Sequence, residues 1–342
     1  IVIKDIGLGR NSAIASIIHD VVRIAIQQSQ PTNELFNAIR HDYGEEVLGI
    51  VLALSKISDI KLKVSKEQAS DFRDMIVSYS EDPRVILIKL ADRLEVMRSL
   101  DIFPEAKRRT KSWESLNLYA QIAHKLGLYA IKSELEDLSL KYLETEAYNH
   151  IVHELKESEK ERMAFIEEFL KPIRELLDRD GLKYHIKSRT KSVYSIFQKM
   201  RKQKVSFKGV YDIFALRIII DCPVEREKAL CWTVYSHVAS LYTPNPERMR
   251  DWISIPKSNG YESLHTTVSA GGGKWVEVQI RTERMDEVAE RGIAAHWRYK
   301  GVKQGGMGAE EWLQRLREML EDTTSESIAH RFSERPTTNE IF

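Results

Sequence analysis

The chain has 342 residues, 42% of them hydrophobic, and its 52 Lys and Arg residues nearly balance 51 Asp and Glu residues at a formal net charge of +1. This length exceeds that of one ordinary domain and predicts two or three, with enough apolar residues to form their cores. The sequence contains no apolar run as long as a membrane span, no signal peptide, and only two cysteines, Cys222 and Cys231, without CxxC spacing. These features exclude the membrane and disulfide-rich secreted classes, and we predict a cytoplasmic protein.

The first 145 residues predict helices throughout. Helical apolar spacing covers residues 13–22, 44–55, 66–79 and 83–99. Helices are predicted to continue between residues 113 and 177. A helix stop at residues 178–181 then predicts a domain boundary.

The pattern changes after this boundary to short β-rich runs. Strands are predicted at residues 183–187, 214–221, 252–255, 265–270 and 274–282, with helices at residues 192–202 and 225–241 between them. Such an order is typical of an α+β domain with a mixed sheet. Beyond it, residues 310–321 predict an amphipathic helix.

The positive charge is concentrated in this second half. Residues 181–300 contain 21 of the Lys and Arg and 12 of the Asp and Glu, which leaves 31 and 39 for the rest of the chain. Such an excess indicates a segment that handles anions, although folded nucleic-acid binders show it too. The carboxylates Asp212 and Glu277 stand inside this basic segment. A metal-bound polyphosphate therefore fits better than a nucleic-acid duplex, and we expect no direct duplex binding.

Residues 256–282 contain the most informative pattern. Alternation in the last strand places Trp275, Glu277, Gln279 and Arg281 on one face and valine and isoleucine on the other. Before it, the sequence Pro-Lys-Ser-Asn-Gly predicts a turn that exposes Tyr261 to stack on a nucleobase. The alternative is a surface hairpin with an aromatic residue at its tip, and this segment alone does not decide between them.

Candidate groups for phosphoryl or pyrophosphoryl transfer follow from residue type. Asp212 and Glu277, on neighbouring β elements, are the candidate Mg²⁺ carboxylates, although a cap is the alternative for Asp212. Arg189 and Lys191 leave a strand on the same face, and Lys199 lies two helical turns further, so the three side chains can converge on one phosphate tail. The alternative for these three cations is a solvated basic face.

Four sequence motifs resemble those of the RelA/SpoT homologues, enzymes that make and, in many members, degrade the alarmone (p)ppGpp. They are SRTKSVYSIFQK at residues 188–199, YDIFALR at 211–217, NGYESLHTT at 259–267 and EVQIRT at 277–282. The resemblance extends over nearly the whole chain. It implies a (p)ppGpp synthetase that transfers pyrophosphate from ATP to the 3′-hydroxyl of GTP or GDP, with Mg²⁺ as cofactor.

The resemblance also implies roles for individual residues. The ATP-binding group comprises Arg189, Lys191, Lys199 and Arg250. The GTP- or GDP-binding group comprises Lys257, Asn259, Tyr261, His265, Gln279 and Arg281, with contacts also implied for Ala295, His296 and Trp297. His265 has the alternative of a satisfied core histidine. Asp212 and Glu277 would hold Mg²⁺, and Glu277 would orient or deprotonate the attacking hydroxyl.

The synthetase motifs depart from the family pattern at three positions. Ser188 replaces a glycine, Arg250 replaces a lysine and Asp286 replaces a histidine. None of these changes removes a charged catalytic group, so the synthetase assignment stands.

The helical half resembles the HD hydrolase domain that precedes the synthetase in this family. His19, Asp20 and Asp92 match three of its metal ligands, and the resemblance places the first metal histidine upstream of Ile1. The Glu-Asp pair that would serve the attacking water is replaced by Arg23 and Ile24, and an asparagine is replaced by Val96. We therefore predict a degenerate domain, and whether it holds Mn²⁺ is left open.

These features together predict a multidomain protein with an all-helical HD-type domain followed by a nucleotidyltransferase-like mixed β-sheet domain flanked by helices. The predicted boundaries are an HD-type domain at 1–145, a helical linker at 146–180, a synthetase domain at 181–302 and a C-terminal segment at 303–342, with both ends cut. A ribosome would be contacted only through an absent C-terminal region. The alternatives are a bifunctional synthetase/hydrolase and a non-catalytic nucleotide or RNA sensor.

Overall fold

The computed structural model describes residues 1–58, 82, 84–210, 212–257 and 260–291. These residues form two compact units. The first consists of the described part of Ile1–Val96 together with Gln121–Leu128, and the second of Met97–Ala120 together with the described residues from 129 onward. In this described part of the chain, no helix is both long and apolar enough to cross a lipid bilayer.

Four helices come first in the part of the chain that the structure describes. They are α1 (Arg10–Gln27), α2 (Asn33–Tyr43), α3 (Glu45–Ser58) and α4 (Arg84–Arg98). In α1 the buried residues Ala15, His19, Val22 and Ala25 recur at helical spacing, which gives the helix one inward face. The helices predicted at 13–22, 44–55 and 83–99 are confirmed, and the one predicted at 66–79 lies outside the described residues.

Helices continue to the start of the sheet. They are α5 (Glu105–Glu114), a π-helical turn (Ser115–Tyr119), α6 (Ala120–Lys125), α7 (Tyr129–Leu143), α8 (Thr145–Glu157) and α9 (Glu159–Arg179). After α9, Gly181 adopts φ of 65° in the left-handed region, which glycine tolerates because it has no Cβ. The predicted helix stop is therefore confirmed.

A five-stranded mixed sheet dominates the second unit. Its strands are β1 (Tyr184–Thr190), β2 (Phe214–Ile220), β3 (Arg250–Asp251), β4 (Leu264–Ser269) and β5 (Trp275–Thr282), in the spatial order β1-β2-β5-β4-β3. Strands β2 and β5 pair in parallel, and every other neighbouring pair is antiparallel. The helices within and after this region are α10 (Val193–Gln203), α11 (Glu227–Leu241) and α12 (Glu283–Arg291). The predicted α+β domain is confirmed.

The main core lies against one face of this sheet. Ile218 and Val278 are fully buried there, and α9 and α11 supply residues such as Ile173 and Val234 to the same cluster. Since side chains alternate along a strand, the opposite face is left for polar residues. The sheet is thus apolar on the helix-covered side.

The prediction of a strand at residues 252–255 is wrong. Strand β3 contains only Arg250 and Asp251, and the chain then turns. The Asp251 carboxylate accepts backbone N–H groups from Ile253 at 3.0 Å and Ser254 at 2.9 Å. An aspartate that bonds the backbone two residues ahead replaces the strand ladder with a turn.

We expect Ile218→Ala to lower the free energy of unfolding by about 2–5 kcal/mol, because it leaves a cavity in the packed core, and Ile218→Val by about 0.5–1.5 kcal/mol. Urea denaturation followed by circular dichroism measures both changes. Val224→Ala serves as the control, since Val224 is 51% exposed. Equal effects of Ile218→Ala and Val224→Ala would contradict the assignment of the core.

Candidate active site

Polar residues form rows across the other face of the sheet. The register pairs Arg217 of β2 with Gln279 of β5, and Gln279 with His265 of β4, so the three side chains lie in one row. Glu277 stands two residues before Gln279, opposite Ala215, and therefore belongs to the same face. Strand alternation thus places the polar groups of the candidate site on a single surface.

One lysine joins two carboxylates at the edge of this surface. The Lys191 ammonium lies 3.0 Å from Asp212 Oδ2 and 2.9 Å from Glu277 Oε2. Lys191 follows β1 directly, and its backbone N–H donates to the Ile213 carbonyl at 2.8 Å, which extends the pairing of β1 with β2. Lys199, from α10, forms a second ion pair with Asp212. The structure therefore brings together four of the residues that the sequence selects.

The charges of this cluster stabilise one another. Burial acts to raise the pKa of Glu277, but the Lys191 charge and a hydrogen bond from Gln279 hold it below its ordinary value. Burial likewise acts against the ionised form of Asp212, and the two lysines nevertheless lower its pKa. Burial and the neighbouring Lys191 charge lower the pKa of Lys199. Burial also acts to lower the pKa of Lys191, but the charges of Glu277 and Asp212 raise it above its ordinary value. Both carboxylates are ionised at neutral pH.

The two carboxylates of the cluster are hard oxygen donors of the kind that Mg²⁺ prefers. Among the described residues, no three His, Cys, Asp or Glu side chains lie together as a metal cluster. Magnesium commonly takes one or two carboxylates from a protein and completes its shell with water and phosphate oxygens. Asp212 and Glu277 supply two such oxygen donors beside the same ammonium.

A chain of polar contacts leads from Glu277 across the sheet. Gln279 Nε2 donates to Glu277 Oε1 at 2.8 Å, and His265 Nδ1 lies 3.5 Å from the same oxygen. On its other side, His265 Nε2 shares a hydrogen bond of 2.7 Å with the Tyr261 hydroxyl. Burial, aided by cations such as Arg281, lowers the pKa of His265 to about 4. His265 is therefore neutral at pH 7 and links Tyr261 to Glu277.

The prediction that Tyr261 is exposed is wrong, since the residue is only 9% exposed. Its ring meets the Tyr129 ring edge-on at a centroid distance of 5.8 Å and the His265 ring at 5.9 Å. The Lys257 ammonium lies 5.1 Å from the ring centroid and the Arg281 guanidinium 5.8 Å from it. The turn at Gly260 turns the tyrosine toward these groups, where aromatic and cation–π contacts hold it.

Arg217 and Asp286 also belong to this surface, although the sequence analysis assigns neither of them a role there. Arg217 Nε donates to Gln279 Oε1 at 3.1 Å, and Arg281 Nη2 donates to the same oxygen at 2.8 Å. Asp286, on α12, accepts from Lys187 at 2.8 Å and lies 3.5 Å from Arg281 Nε. One signal in the sequence was available for Arg217: a single arginine inside the apolar strand Phe214–Ile220 requires partners.

Two other predicted site residues make contacts of their own, and a third lies outside the described residues. Arg189 is half-buried on β1 opposite Ala215, where burial and the Arg217 charge lower its pKa. Arg250 lies exposed on β3 opposite His265 and donates to the carbonyls of Glu247 and Met249. Asn259, like residues 295–297, lies outside the described residues.

The first unit brings some of the HD-like residues together. His19 is buried, and its Nε2 lies 3.6 Å from Asp20 Oδ1. Arg23 pairs with the same Asp20 oxygen at 2.8 Å, and Lys89 lies 3.6 Å from Asp92. Burial lowers the pKa of Lys89, although the charges of Asp92 and Asp20 oppose that effect. Both aspartates thus have cationic side chains as neighbours.

Two protein-family profiles match the chain. The profile described as the region found in RelA/SpoT proteins matches residues 188–304, and an HD-domain profile matches residues 1–129. The first therefore covers most of the sheet and the lysine–carboxylate cluster, and the second covers α1 to α6.

Curated relatives resemble the chain over most of its length. A guanosine-3′,5′-bis(diphosphate) 3′-pyrophosphohydrolase of Aquifex aeolicus is 39% identical over 95% of this chain and 45% of its own length. The bifunctional (p)ppGpp synthase/hydrolase SpoT of Escherichia coli K12 is 37% identical over 95% and 45%. A GTP pyrophosphokinase of Myxococcus xanthus is 37% identical over 94% and 42%. The chain thus spans less than half the length of these relatives.

Proposed function

Since the chain belongs to the RelA/SpoT homologues, we propose that it transfers the pyrophosphoryl group of ATP to the 3′-hydroxyl of GTP or GDP. The products are AMP and (p)ppGpp. The observation that carries this proposal is the contact of one ammonium, that of Lys191, with both Asp212 and Glu277. A nucleotide sensor without catalysis has no need for two ionised carboxylates beside the cations that hold its ligand.

The proposed reaction requires a base and a means of neutralising charge. The 3′-oxygen bonds to the β-phosphorus of ATP, and the bond from that phosphorus to the α–β bridging oxygen breaks, so AMP leaves with the electron pair. Glu277 is ionised and stands on a strand in the middle of the sheet, which suits it to orient the hydroxyl or accept its proton. When bound, Mg²⁺ would be held by Asp212 and Glu277 and would neutralise phosphate oxygens.

The cations of the site are proposed to bind the phosphates of ATP. Lys191, Lys199 and Arg189 stand where the family resemblance assigns the ATP phosphates. In the structure, Lys191 and Lys199 neutralise Asp212 and Glu277. Phosphates that recruit these lysines would deprive both carboxylates of their counter-ions, and a divalent cation that accompanies ATP would replace them. The proposed magnesium ion would thus take the place of the two ammonium groups beside Asp212 and Glu277.

The guanosine nucleotide is proposed to bind next to Tyr261. A base that stacks on this ring would replace the Lys257 ammonium, which lies over the rings of Tyr261 and Trp252. The Lys257 carbonyl accepts the Gly260 backbone N–H at 2.8 Å, and the side chain is only partly buried, so we expect its ammonium to move toward the phosphates of the nucleotide. His265 holds the Tyr261 hydroxyl and thereby connects the base-binding residue to Glu277.

The HD-like unit is proposed to lack (p)ppGpp hydrolase activity. Relatives named as hydrolases or bifunctional enzymes make hydrolysis the alternative function of this unit. Arg23 and Ile24 stand where the family has Glu-Asp, and neither side chain accepts a proton from water at neutral pH. Arg23 also pairs with Asp20, one of the carboxylates that would bind the metal.

We expect Glu277→Gln and Asp212→Asn each to reduce the rate of AMP formation from ATP and GDP by roughly a thousandfold or more, because each removes a metal ligand or base. The measurement is the rate of AMP release with saturating Mg²⁺, together with thermal unfolding to show that the fold persists. Glu283→Gln, an exposed glutamate one residue beyond β5, is the matched control and should retain activity. Near wild-type rates in either site variant would refute the assignment.

Tyr261→Ala should weaken binding of GDP by roughly tenfold to a hundredfold and leave ATP binding nearly unchanged, because stacking on an aromatic ring is worth about 1–3 kcal/mol per base. Titration of each nucleotide against the variant measures the effect. Tyr261→Phe keeps the ring and removes only the hydrogen bond to His265, so it should bind GDP more tightly than Tyr261→Ala. Equal losses for ATP and GDP would mean that Tyr261 supports the fold.

The chain, extended upstream to include the histidine that the resemblance places before Ile1, should release no pyrophosphate from ppGpp even with Mn²⁺ supplied. Restoring the acidic pair by Arg23→Glu and Ile24→Asp, together with Val96→Asn, should raise hydrolysis above background, because the chain then carries carboxylates that could accept a proton from the attacking water. Pyrophosphate release is measured in both chains. Robust hydrolysis by the unmodified extended chain would favour the bifunctional alternative.

A further inference from the structure

Helix α7 lies between the two parts of the chain that the family profiles match. The HD-domain profile ends at residue 129, the first residue of α7, and the RelA/SpoT profile begins at residue 188. The helix nevertheless belongs to the same compact unit as the sheet. Two of its side chains contact elements of the proposed nucleotide site.

The first contact is between two aromatic rings. The rings of Tyr129 and Tyr261 lie 5.8 Å apart at an interplanar angle of 79°, which is an edge-to-face arrangement. The hydrogen bond to His265 fixes the hydroxyl of Tyr261, but a phenol ring can still rotate about the axis from Cβ to its oxygen. An edge-to-face neighbour opposes that rotation. Tyr129 therefore helps to set the plane on which a base would stack.

The second contact is at the start of helix α10. One carboxylate oxygen of Asp137 accepts the backbone N–H of Tyr194, the second residue of α10, at 2.8 Å. A carboxylate is favourable there because the first N–H groups of a helix lack partners and its N-terminus is partially positive. Burial raises the pKa of Asp137, while hydrogen bonds from Tyr194 and Val193 oppose the rise. Asp137 is therefore partly buried and is held by backbone N–H groups at the start of α10.

This helix start lies between the two phosphate-handling lysines. Lys191 precedes α10 by two residues and Lys199 lies within it. Ser192 is the N-cap of α10, and its side-chain oxygen accepts the backbone N–H of Ser195 at 3.2 Å. Asp137 adds an anchor from a distant part of the sequence, so a shift of α7 would be passed to both lysines.

We propose that α7 forms part of the nucleotide site, with Tyr129 as a positioning residue for the guanosine nucleotide and Asp137 as a positioning residue for ATP. The inference rests on the proposed function. Tyr129 acts through Tyr261, and Asp137 acts through the start of α10. The two residues are eight positions apart, or about 12 Å along the helix axis, so one rigid element serves both substrates.

The test compares Michaelis constants for the two substrates in variants of the full chain. Tyr129→Ala should raise the KM for GDP about two- to tenfold and leave the KM for ATP unchanged, whereas Tyr129→Phe, which keeps the ring edge, should behave as wild type. Asp137→Ala should raise the KM for ATP about three- to tenfold and leave the KM for GDP unchanged. Asp137→Asn should recover part of this loss, because its amide oxygen can accept the same N–H.

Two residues on α7 provide matched controls. Tyr142→Ala removes a tyrosine whose ring lies near Lys141, and Glu134→Ala removes a carboxylate that pairs with Arg98. Both should leave the two KM values unchanged. A helix that served only to support the fold would raise both KM values together in Tyr129→Ala and Asp137→Ala, or neither, and either result would overturn the inference.

Binding measurements separate this inference from the proposed function. Calorimetric titration with GDP and with ATP gives dissociation constants without turnover, and the same opposite pattern is expected for Tyr129→Ala and Asp137→Ala. If the wild-type chain forms no AMP but the variants show that pattern, the catalytic proposal fails and the positioning inference stands. If the chain forms AMP and the pattern is missing, only the positioning inference fails. A wild-type chain that binds neither nucleotide overturns both.

Discussion

The parallel pairing of β2 with β5 is the constraint on which the rest of the sheet depends. The register that sets Ala215 opposite Glu277 brings the segment before β2, with Asp212, next to β5. Parallel strands need a long crossover, and the intervening chain supplies α11, which covers the apolar face, before β3 and β4. A slip of one residue would move Glu277 and Gln279 to the apolar face. Core packing and the geometry of the candidate site thus depend on the same register.

Much of this architecture is predictable because each element has one inward face. Alternation in β5 separates Glu277 from Val278 without any knowledge of its neighbours. The helix stop before Gly181 and the composition change after it separate the helical part of the chain from the sheet. Asp212, Lys191 and Lys199 are selected by motif, and their meeting follows from strand ends and helix spacing, both of which are local properties.

The features that the sequence does not predict have different physical causes. Tyr261 is buried because Tyr129, more than a hundred positions earlier, packs against it, and no local pattern indicates that contact. The predicted strand at 252–255 does not form, because the Asp251 side chain accepts backbone N–H groups that would otherwise bond within the sheet. Arg217 differs from these two cases. The sequence shows a lone charge in an apolar strand, but it does not show that Gln279 and Glu290 are the partners of that charge.

On the polar face of the sheet, some charged side chains have complete hydrogen bonds and others do not. This difference indicates what kind of ligand the face can bind. Lys191 and its two carboxylates satisfy one another at hydrogen-bonding distance. Arg281 is fully buried, yet its Nε and Nη1 atoms have no hydrogen-bond partner among the described residues, and Asp286 approaches only to 3.5 Å.

A buried guanidinium with unsatisfied donors beside a second arginine is costly, and stability alone would favour an apolar residue at this position. Proteins retain such groups mainly where function requires them. The charge left over on this face is positive, and an anionic nucleotide would neutralise it. The apolar face of the sheet differs from the polar face, because its buried side chains pack against α9 and α11 and need no ionic partner.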